Sequence, residues 1–338
     1  MSRQAAHDTA WTARGACPGV AAPMASGDGL LLRLRHPIGG LSPTQARAVA
    51  AAARDHGNGA LELTSRGNLQ LRGVTEEHLP AAQAALAATG LVDTDPAREA
   101  VRNVLAAPAS DRDPTALMDV TNVAQALSAA IADDPTLRGL APKTGIVVDG
   151  GGRAAIPDVT ADIRLDACGG DRLRVGLAGR REEAVAIGSV ATTGAPAAIR
   201  RLLKALLDAS DGEPMRMAAA LRTHGAETFR AALDGVAEPG DPGLPTLPAA
   251  CSPGADPEGN WFLANFTFGA VDAERLDGLA GVGEQYARSQ PSLRLTPWRG
   301  VLLPGVGDDA REALLEVDDH APRSVTVLER RFDLFGHA

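Results

Sequence analysis

The feature that most constrains the fold of this chain is a stretch that occurs twice. Residues 61–74 read LELTSRGNLQLRGV and residues 293–306 read LRLTPWRGVLLPGV, with six identities in register. The alternating leucines are typical of strands that bury one face, and a helical segment precedes each copy. The spacing is far too long for a solenoid. Unless two amphipathic strands match by chance, it predicts a duplicated half-domain whose copies face each other across a pseudo-two-fold axis.

Helix and strand signals indicate an α+β chain. Residues 27–35 predict a strand, and Ser42, Pro43 and Gln45 form the capping-box signal of a helix that stops at Gly57. In the middle of the chain we predict strands at 145–149, 161–165 and 172–177, and helices at 115–133, at 182–192 and after Pro196.

These signals divide the chain into six parts. They are an extended arm (1–26), a first half-domain (27–92), an α/β domain (93–238), a linker rich in proline and glycine (239–260), a second half-domain (261–306) and a tail (307–338).

Composition limits the partners. The net charge of -9 opposes binding to nucleic acid or to an anionic membrane. Aromatic residues make up 3% of the chain, too few for a base-stacking platform. The sequence shows neither the apolar core of a signal peptide nor a run of about 18 apolar residues that could span a bilayer. We therefore expect a cytoplasmic protein without nucleic-acid or membrane partners, in which only a local basic cluster can hold an anionic ligand.

Such a cluster is suggested by five basic residues at or near predicted strand ends. They are Arg66, Arg72, Arg102, Lys143 and Arg164. Loops at strand ends are where rigid sheets usually present binding groups. Arg66 precedes Gly67 and Asn68, which permit a tight turn that aims the guanidinium at a ligand. For each of the five, a solvated surface charge is the alternative interpretation.

Seven motifs resemble, in the same order, those of the sulfite and nitrite reductase superfamily. They are ACPGVAAPMASGDGLLLRLR (16–35), HGNGALELTSRGNLQLRGV (56–74), RNVLAAP (102–108), LAPKTGIVVDGGG (140–152), PDVTADIRL (157–165), GLAG (176–179) and LRLTPWRGVLLPG (293–305). Within the superfamily they resemble the precorrin-3B synthase family of aerobic cobalamin biosynthesis. The resemblance implies an α+β fold in which duplicated nitrite/sulfite reductase ferredoxin-like half-domains flank one α/β domain of the sirohaem- or tetrapyrrole-binding type.

The resemblance also implies a ligand and part of its site. Reductases of this superfamily bind sirohaem, a tetrapyrrole with eight carboxylates, through arginines and lysines. Arg66 stands at the arginine of the T-x-R motif, Arg102 at that of R-N-V, and Lys143 at the first lysine of L-P-x-K. Gly145 stands where the reductases have a second lysine, as it commonly does in precorrin-3B synthases. We expect an anionic tetrapyrrole ligand, precorrin-3A or a sirohaem-like molecule.

The implied activity is that of an oxidoreductase of the monooxygenase type. It is the oxygen-dependent hydroxylation of precorrin-3A with lactone formation, and the family uses a 4Fe-4S cluster and iron. A cluster takes four thiolates, whereas Cys17, Cys168 and Cys251 lie far apart, so we expect no metal ligands in this chain. The family's C-terminal iron-sulfur domain is expected to be absent, and a separate iron-sulfur or electron-donor protein is an expected partner.

Two other functions remain open at this point. A non-catalytic tetrapyrrole-binding homologue would use the same basic residues without redox chemistry. A sulfite or nitrite reductase would need the cluster cysteines and the second lysine, both missing from the quoted motifs. No catalytic residue can be assigned from the sequence.

Overall fold

The computed structural model describes residues 18–319; the first part of the predicted arm, with Cys17, and the last part of the predicted tail lie outside this range. In chain order the strands and helices are β1 (Met24–Ser26), β2 (Gly29–Leu34), α1 (Pro43–His56), β3 (Ala60–Leu63), β4 (Leu69–Val74), α2 (Leu79–Ala88), α3 (Pro96–Val101), β5 (Val104–Ala106), α4 (Thr121–Ala132), β6 (Ile146–Asp149), β7 (Ala161–Gly169), β8 (Arg172–Gly179), β9 (Val185–Ala191), α5 (Ala195–Ala209), α6 (Met217–Ala231), β10 (Gly254–Ala255), β11 (Trp261–Asn265), β12 (Ala270–Asp272), α7 (Ala273–Tyr286), β13 (Arg294–Leu295), β14 (Gly300–Pro304) and α8 (Arg311–Asp319).

The duplicated half-domain of the sequence forms two antiparallel sheets. One has the strand order β1-β2-β4-β3-β12 and the other β10-β11-β14-β13. The copies pair with each other in both directions, because Val271 on β12 of the second copy pairs with Leu61 of the first, while Leu41 of the first forms a single bridge with Leu293 of the second. Leu61 and Leu293 are equivalent positions of the repeat. This pairing in both directions agrees with a pseudo-two-fold axis.

The turns inside the two copies repeat the same hydrogen bonds. The amide of Thr64 donates to the Asn68 carbonyl and its Oγ1 accepts from the Asn68 amide. Thr296 makes the same two bonds with Gly300. The backbone φ angle is 63° at Gly67 and 62° at Arg299, its counterpart. The two copies of the sequence repeat therefore share the backbone conformation of their turns.

One hydrophobic core joins the two copies. It contains residues of both sheets together with the inner faces of α1, α2, α7 and α8. Helices α1 and α7 pack against each other, and Arg47 of α1 pairs with Glu284 of α7 at 2.7 Å on the exposed side. The capping box predicted for α1 is present, since Ser42 Oγ accepts from the Gln45 amide and the Gln45 side chain accepts from the Ser42 amide.

The α/β domain is built on a third sheet. Its order is β5-β6-β7-β8-β9, with β5, β6 and β7 parallel and β7, β8 and β9 antiparallel. Helices α4, α5 and α6 pack on this sheet and form a separate core with it. The parallel edge strand β5 begins two residues after Arg102.

Two expectations about local structure need correction. Residues 182–192 are not a helix, because Val185–Ala191 form β9, where Val185, Ile187 and Val190 suit a strand paired with β8. The predicted arm includes an edge strand, since β1 pairs with β2. Within residues 18–319 no helix has the length and apolar character that would let it cross a membrane.

Candidate functional site

A cleft lies between the first half-domain and the α/β domain. It encloses about 710 Å³ of empty space, including the part open to solvent. Its lining residues are mostly polar: Arg33, Arg35, His36, Arg66, Asn68, Arg102, Asn103, Val104, Leu105, Lys143, Gly145 and Arg216. Six of these side chains are cationic, in a chain whose net charge is -9. The cleft is therefore a local basic cluster of the kind that an anionic ligand needs.

Different elements bring these cations together. Arg33 on β2 and Arg35, the first residue after this strand, both line the cleft, because side chains alternate along an extended chain. Arg66 comes from the turn between β3 and β4, Arg102 follows α3, Lys143 precedes β6 and Arg216 caps α6. Of the five predicted binding residues, the structure places Arg66, Arg102 and Lys143 in the cleft.

The turn Arg66-Gly67-Asn68 organises one wall of the cleft. Gly67 has a left-handed backbone that favours glycine, and a Cβ there would lie 2.7 Å from His36 Nδ1. The Gly67 carbonyl lies 3.3 Å from the same nitrogen, and Asn68 Oδ1 accepts from the His36 amide at 2.8 Å. The Gly67 and Asn68 that follow Arg66 therefore position His36 against this turn.

The guanidinium of Arg66 reaches across to the α/β domain. Its Nη2 donates to the Thr160 carbonyl at 3.0 Å, and its Nη1 would lie 3.0 Å from a Cβ at Gly145. Gly145 therefore leaves the space in which this guanidinium sits. A larger side chain at this position would compete with Arg66 for the same wall of the cleft.

Two buried carboxylates hold cleft residues in place. Glu99 pairs with Arg102 at 2.8 Å and with Arg35 at 3.8 Å. Asp162 pairs with Arg216 at 2.7 Å and accepts from the Gly145 amide at 2.8 Å. Both are almost fully buried, and their ion pairs fix the directions of the arginines before any ligand arrives.

Lys143 and Arg33 differ in their surroundings. Lys143 is exposed, and within residues 18–319 it makes neither a hydrogen bond nor an ion pair. Arg33 donates to Gln70 Oε1 on the neighbouring strand, at 2.6 Å from Nη2 and 3.2 Å from Nε. Lys143 is therefore an exposed point charge of the cleft, whereas Arg33 is held by Gln70.

The other two predicted residues, Arg72 and Arg164, do not line the cleft. Arg72 lies on β4 and pairs with Asp28 and Glu62, both at 2.9 Å. Its hydrogen bond to Asp28 raises the pKa of Arg72 and lowers that of Asp28. Arg164 lies on β7 with no exposed surface and pairs with Asp166 at 2.7 Å and Asp149 at 3.5 Å. Burial, and then the nearby Asp166, raise the pKa of Asp149.

Four titratable side chains of the cleft were not predicted. Arg33 and Arg35 had a usable signal, because they alternate with leucines in LLLRLR, as residues on one side of an extended chain do. His36 is adjacent to this pattern but carries no signal of its own. Arg216 precedes α6 far along the chain, and only the tertiary fold brings it to Asp162.

The second copy has no equivalent basic cleft among the described residues. The counterpart of Arg66 is Trp298 and that of Gln70 is Leu302, which pairs with Leu263 as Gln70 pairs with Arg33. These apolar side chains pack with Ala109 and Ala154 of the α/β domain. The two copies therefore differ: the first presents cations to the α/β domain, and the second forms an apolar contact with it.

The acid-base state of His36 gives a prediction for stability. Burial, offset by the Gly67 hydrogen bond and reinforced by Arg294, lowers the pKa of His36 to about 4 from 6.5. Below pH 6.5 the unfolded chain binds a proton at this residue that the folded chain does not. Stability should therefore fall as the pH drops from 6.5 to 4, by at most about 3 kcal/mol from this group.

Urea unfolding at several pH values checks this expectation. Because carboxylates titrate in the same range, the informative quantity is the difference between the protein and its His36→Asn variant. We expect the variant to gain relative stability by about 1.4 kcal/mol per pH unit on acidification between pH 6.5 and 4. If the free energies of unfolding of the protein and of the variant changed with pH in parallel, His36 would have the same pKa in the folded and the unfolded chain.

No cluster of metal-ligating side chains occurs among residues 18–319. Cys168 and Cys251 are free thiols, and burial raises the pKa of Cys251 to about 11. Four thiolates are needed for an iron-sulfur cluster, so the described residues do not fit one.

Comparison with known proteins defines the class of the fold. Residues 22–89 and 253–317 both match the family described as the nitrite/sulfite reductase ferredoxin-like half domain. The fold class expected from the motifs, an α+β chain with two such half-domains, is confirmed. The structure of the Mycobacterium tuberculosis NirA protein matches with a TM-score of 0.69 and 17% identity, over 86% of this chain and 56% of that one.

Among individual proteins, the chain is similar to a precorrin-3B synthase of Sinorhizobium sp. The two are 36% identical over 206 residues, which cover 60% of this chain and 43% of the synthase. A ferredoxin--nitrite reductase of Synechococcus elongatus is 33% identical over 126 residues, 36% of this chain and 25% of the reductase. These similarities confirm the resemblance read from the motifs, and the chain spans less than half the length of these two relatives.

Proposed function

We propose that this chain binds an anionic tetrapyrrole in the cleft between its first half-domain and its α/β domain. The observation that carries the proposal is the convergence of six cationic side chains on one cleft of an anionic protein. Arginine forks bind carboxylates with two parallel hydrogen bonds, and five of the six cations are arginines. A tetrapyrrole rimmed with carboxylates presents many such partners at once.

The surroundings of the cleft support a ligand of this kind. The cleft adjoins a second pocket, and the two share His36, Arg102 and Val104. Val104 and Leu105 give the cleft an apolar strip beside its cations, which suits a flat macrocycle with a charged rim.

We further propose that the activity is of the precorrin-3B synthase type, within cobalamin biosynthesis. The similarity to a precorrin-3B synthase supports this assignment. The reaction would be the oxygen-dependent hydroxylation of precorrin-3A with lactone formation. In it the cleft binds and orients the substrate, while iron and reducing equivalents come from a cluster or electron-donor protein outside residues 18–319.

The test of tetrapyrrole binding uses porphyrins that differ in their number of carboxylates. Uroporphyrin III carries eight, coproporphyrin III four and mesoporphyrin IX two, around the same macrocycle. We expect the affinity, measured by fluorescence titration at fixed ionic strength, to rise with each step in carboxylate number and to weaken with added salt. Equal affinities for all three would mean that the cations do not recognise carboxylates, and the proposed ligand class would be wrong.

A further inference from the structure

His36 lies where the cleft meets the adjoining pocket and lines both. Its Nδ1 lies 3.3 Å from the Gly67 carbonyl oxygen. A carbonyl oxygen only accepts, so Nδ1 carries the hydrogen and Nε2 carries a lone pair. Within residues 18–319 Nε2 forms no hydrogen bond. The ring is thus fixed by the turn Gly67-Asn68 with one nitrogen left to meet a ligand.

The charges that face His36 come from several elements. The cations are Arg33 on β2, Arg35 just after it, Arg66 from the β3–β4 turn, Arg98 on α3, Arg102 after α3, Lys143 before β6, Arg216 at α6, and Arg294 on β13. The carboxylates are Glu99 and Asp162 behind the cleft, Asp93 in the adjoining pocket and Asp111 beside Arg294, and each of them is already paired with an arginine.

Burial keeps the free imidazole neutral. Burial first, and then the charge of Arg294, hold the pKa of His36 at about 4, so the ring is uncharged at pH 7. Ligand carboxylates bound by the cleft arginines would bring negative charge close to this ring. An opposite charge within about 4–6 Å of a titratable group favours its charged form.

We infer that His36 is a further ligand-binding residue of the cleft, and that it takes a proton from solvent when a polycarboxylate occupies the cleft. The proton goes to Nε2, which then donates a hydrogen bond to a ligand carboxylate; no bond within the ligand changes. The inference rests on the proposed function, because it requires an anionic ligand in this cleft. By linkage, binding then takes up protons and strengthens as the pH falls towards 6.

Calorimetry with uroporphyrin III tests the inference. The binding enthalpy at pH 7 is measured in several buffers with different enthalpies of ionisation, and the slope gives the number of protons taken up. His36→Asn retains an amide that can donate to the Gly67 carbonyl but cannot titrate. His224→Asn, at an exposed position on α6, is the matched control.

We expect the protein and His224→Asn to take up more protons than His36→Asn, by a fraction of up to one. The affinity ratio of the protein to His36→Asn should also rise between pH 8 and pH 6, approaching tenfold per pH unit. Binding with equal proton uptake by all three would overturn the inference and leave tetrapyrrole binding intact. No binding of uroporphyrin III by the unmodified protein would overturn both.

A second measurement covers the case in which His36→Asn does not fold. Histidine-labelled protein is followed by NMR, where the ring nitrogen shifts report protonation directly. The inference predicts that one histidine is neutral at pH 7 in the free protein and becomes charged on addition of uroporphyrin III. Histidine signals with unchanged protonation in the complex would contradict it.

Discussion

Replacing Arg66 or Arg102 by alanine is expected to weaken the binding of uroporphyrin III by about 10- to 150-fold each. This range corresponds to the roughly 1.5–3 kcal/mol that one hydrogen bond to a charged group typically contributes. Arg66 should be the cleaner case, because it is exposed and donates to a backbone carbonyl, that of Thr160. In Arg102→Ala the buried Glu99 still faces Arg35. Fluorescence titration at one fixed salt concentration gives the affinities.

Two controls separate charge, geometry and folding. Arg72→Ala removes an arginine that lies outside the cleft and should leave the affinity unchanged within about twofold. Arg66→Lys keeps the charge but loses the planar fork, so an intermediate affinity is expected. If Arg66→Ala and Arg102→Ala both bind within about twofold of the unmodified protein while retaining its circular dichroism, the cleft is not the binding site.

Replacing Arg164 by methionine is expected to lower the free energy of unfolding by about 3–5 kcal/mol. Its guanidinium is fully buried between Asp149 and Asp166, and its removal leaves two neighbouring carboxylates without their counter-ion. Removing one partner of a buried ion pair usually has a cost of this size. Chemical denaturation at pH 7 measures the change. Addition of Asp166→Asn to this variant should restore part of the stability, because one unpaired charge is removed.

The matched control is Arg72→Met, which breaks two partly exposed ion pairs on β4. Exposed pairs contribute about 0–1 kcal/mol, so this variant should be nearly as stable as the unmodified protein. A loss below about 1 kcal/mol for Arg164→Met would mean that its ion pairs do not stabilise the α/β domain. A variant too unstable to purify would agree with the expectation only if Asp166→Asn rescues it.

Much of the fold could be predicted from the sequence because its signals are local. The repeat, the α1 capping box and three strands of the α/β domain each depend on short patterns, which predict an α+β chain with a duplicated half-domain; the family resemblance gave the type of half-domain, and the fold class is confirmed. The helix predicted at residues 182–192 was wrong because two glutamates and several alanines are typical of a helix. Pairing with β8 makes this segment a strand instead. The domain boundaries drawn from composition remain a prediction.

The candidate site was only partly predictable, for a physical reason. Sequence position can suggest that a cation follows a strand, but it cannot show which partner the cation meets. Arg164 lies beside two buried carboxylates, and the guanidinium of Arg66 lies in the space that Gly145 leaves open. His36 enters the cleft because Gly67 lacks a side chain. Such juxtapositions join residues far apart in the chain, and only the folded structure reveals them.

A crystal structure of the protein with uroporphyrin III would test most directly whether the cleft beside Arg66, Arg102 and Lys143 is the tetrapyrrole site. We expect the macrocycle to lie in this cleft, with ligand carboxylates within hydrogen-bond distance of these three side chains. A porphyrin bound at another surface, with the cleft free of ligand, would contradict it.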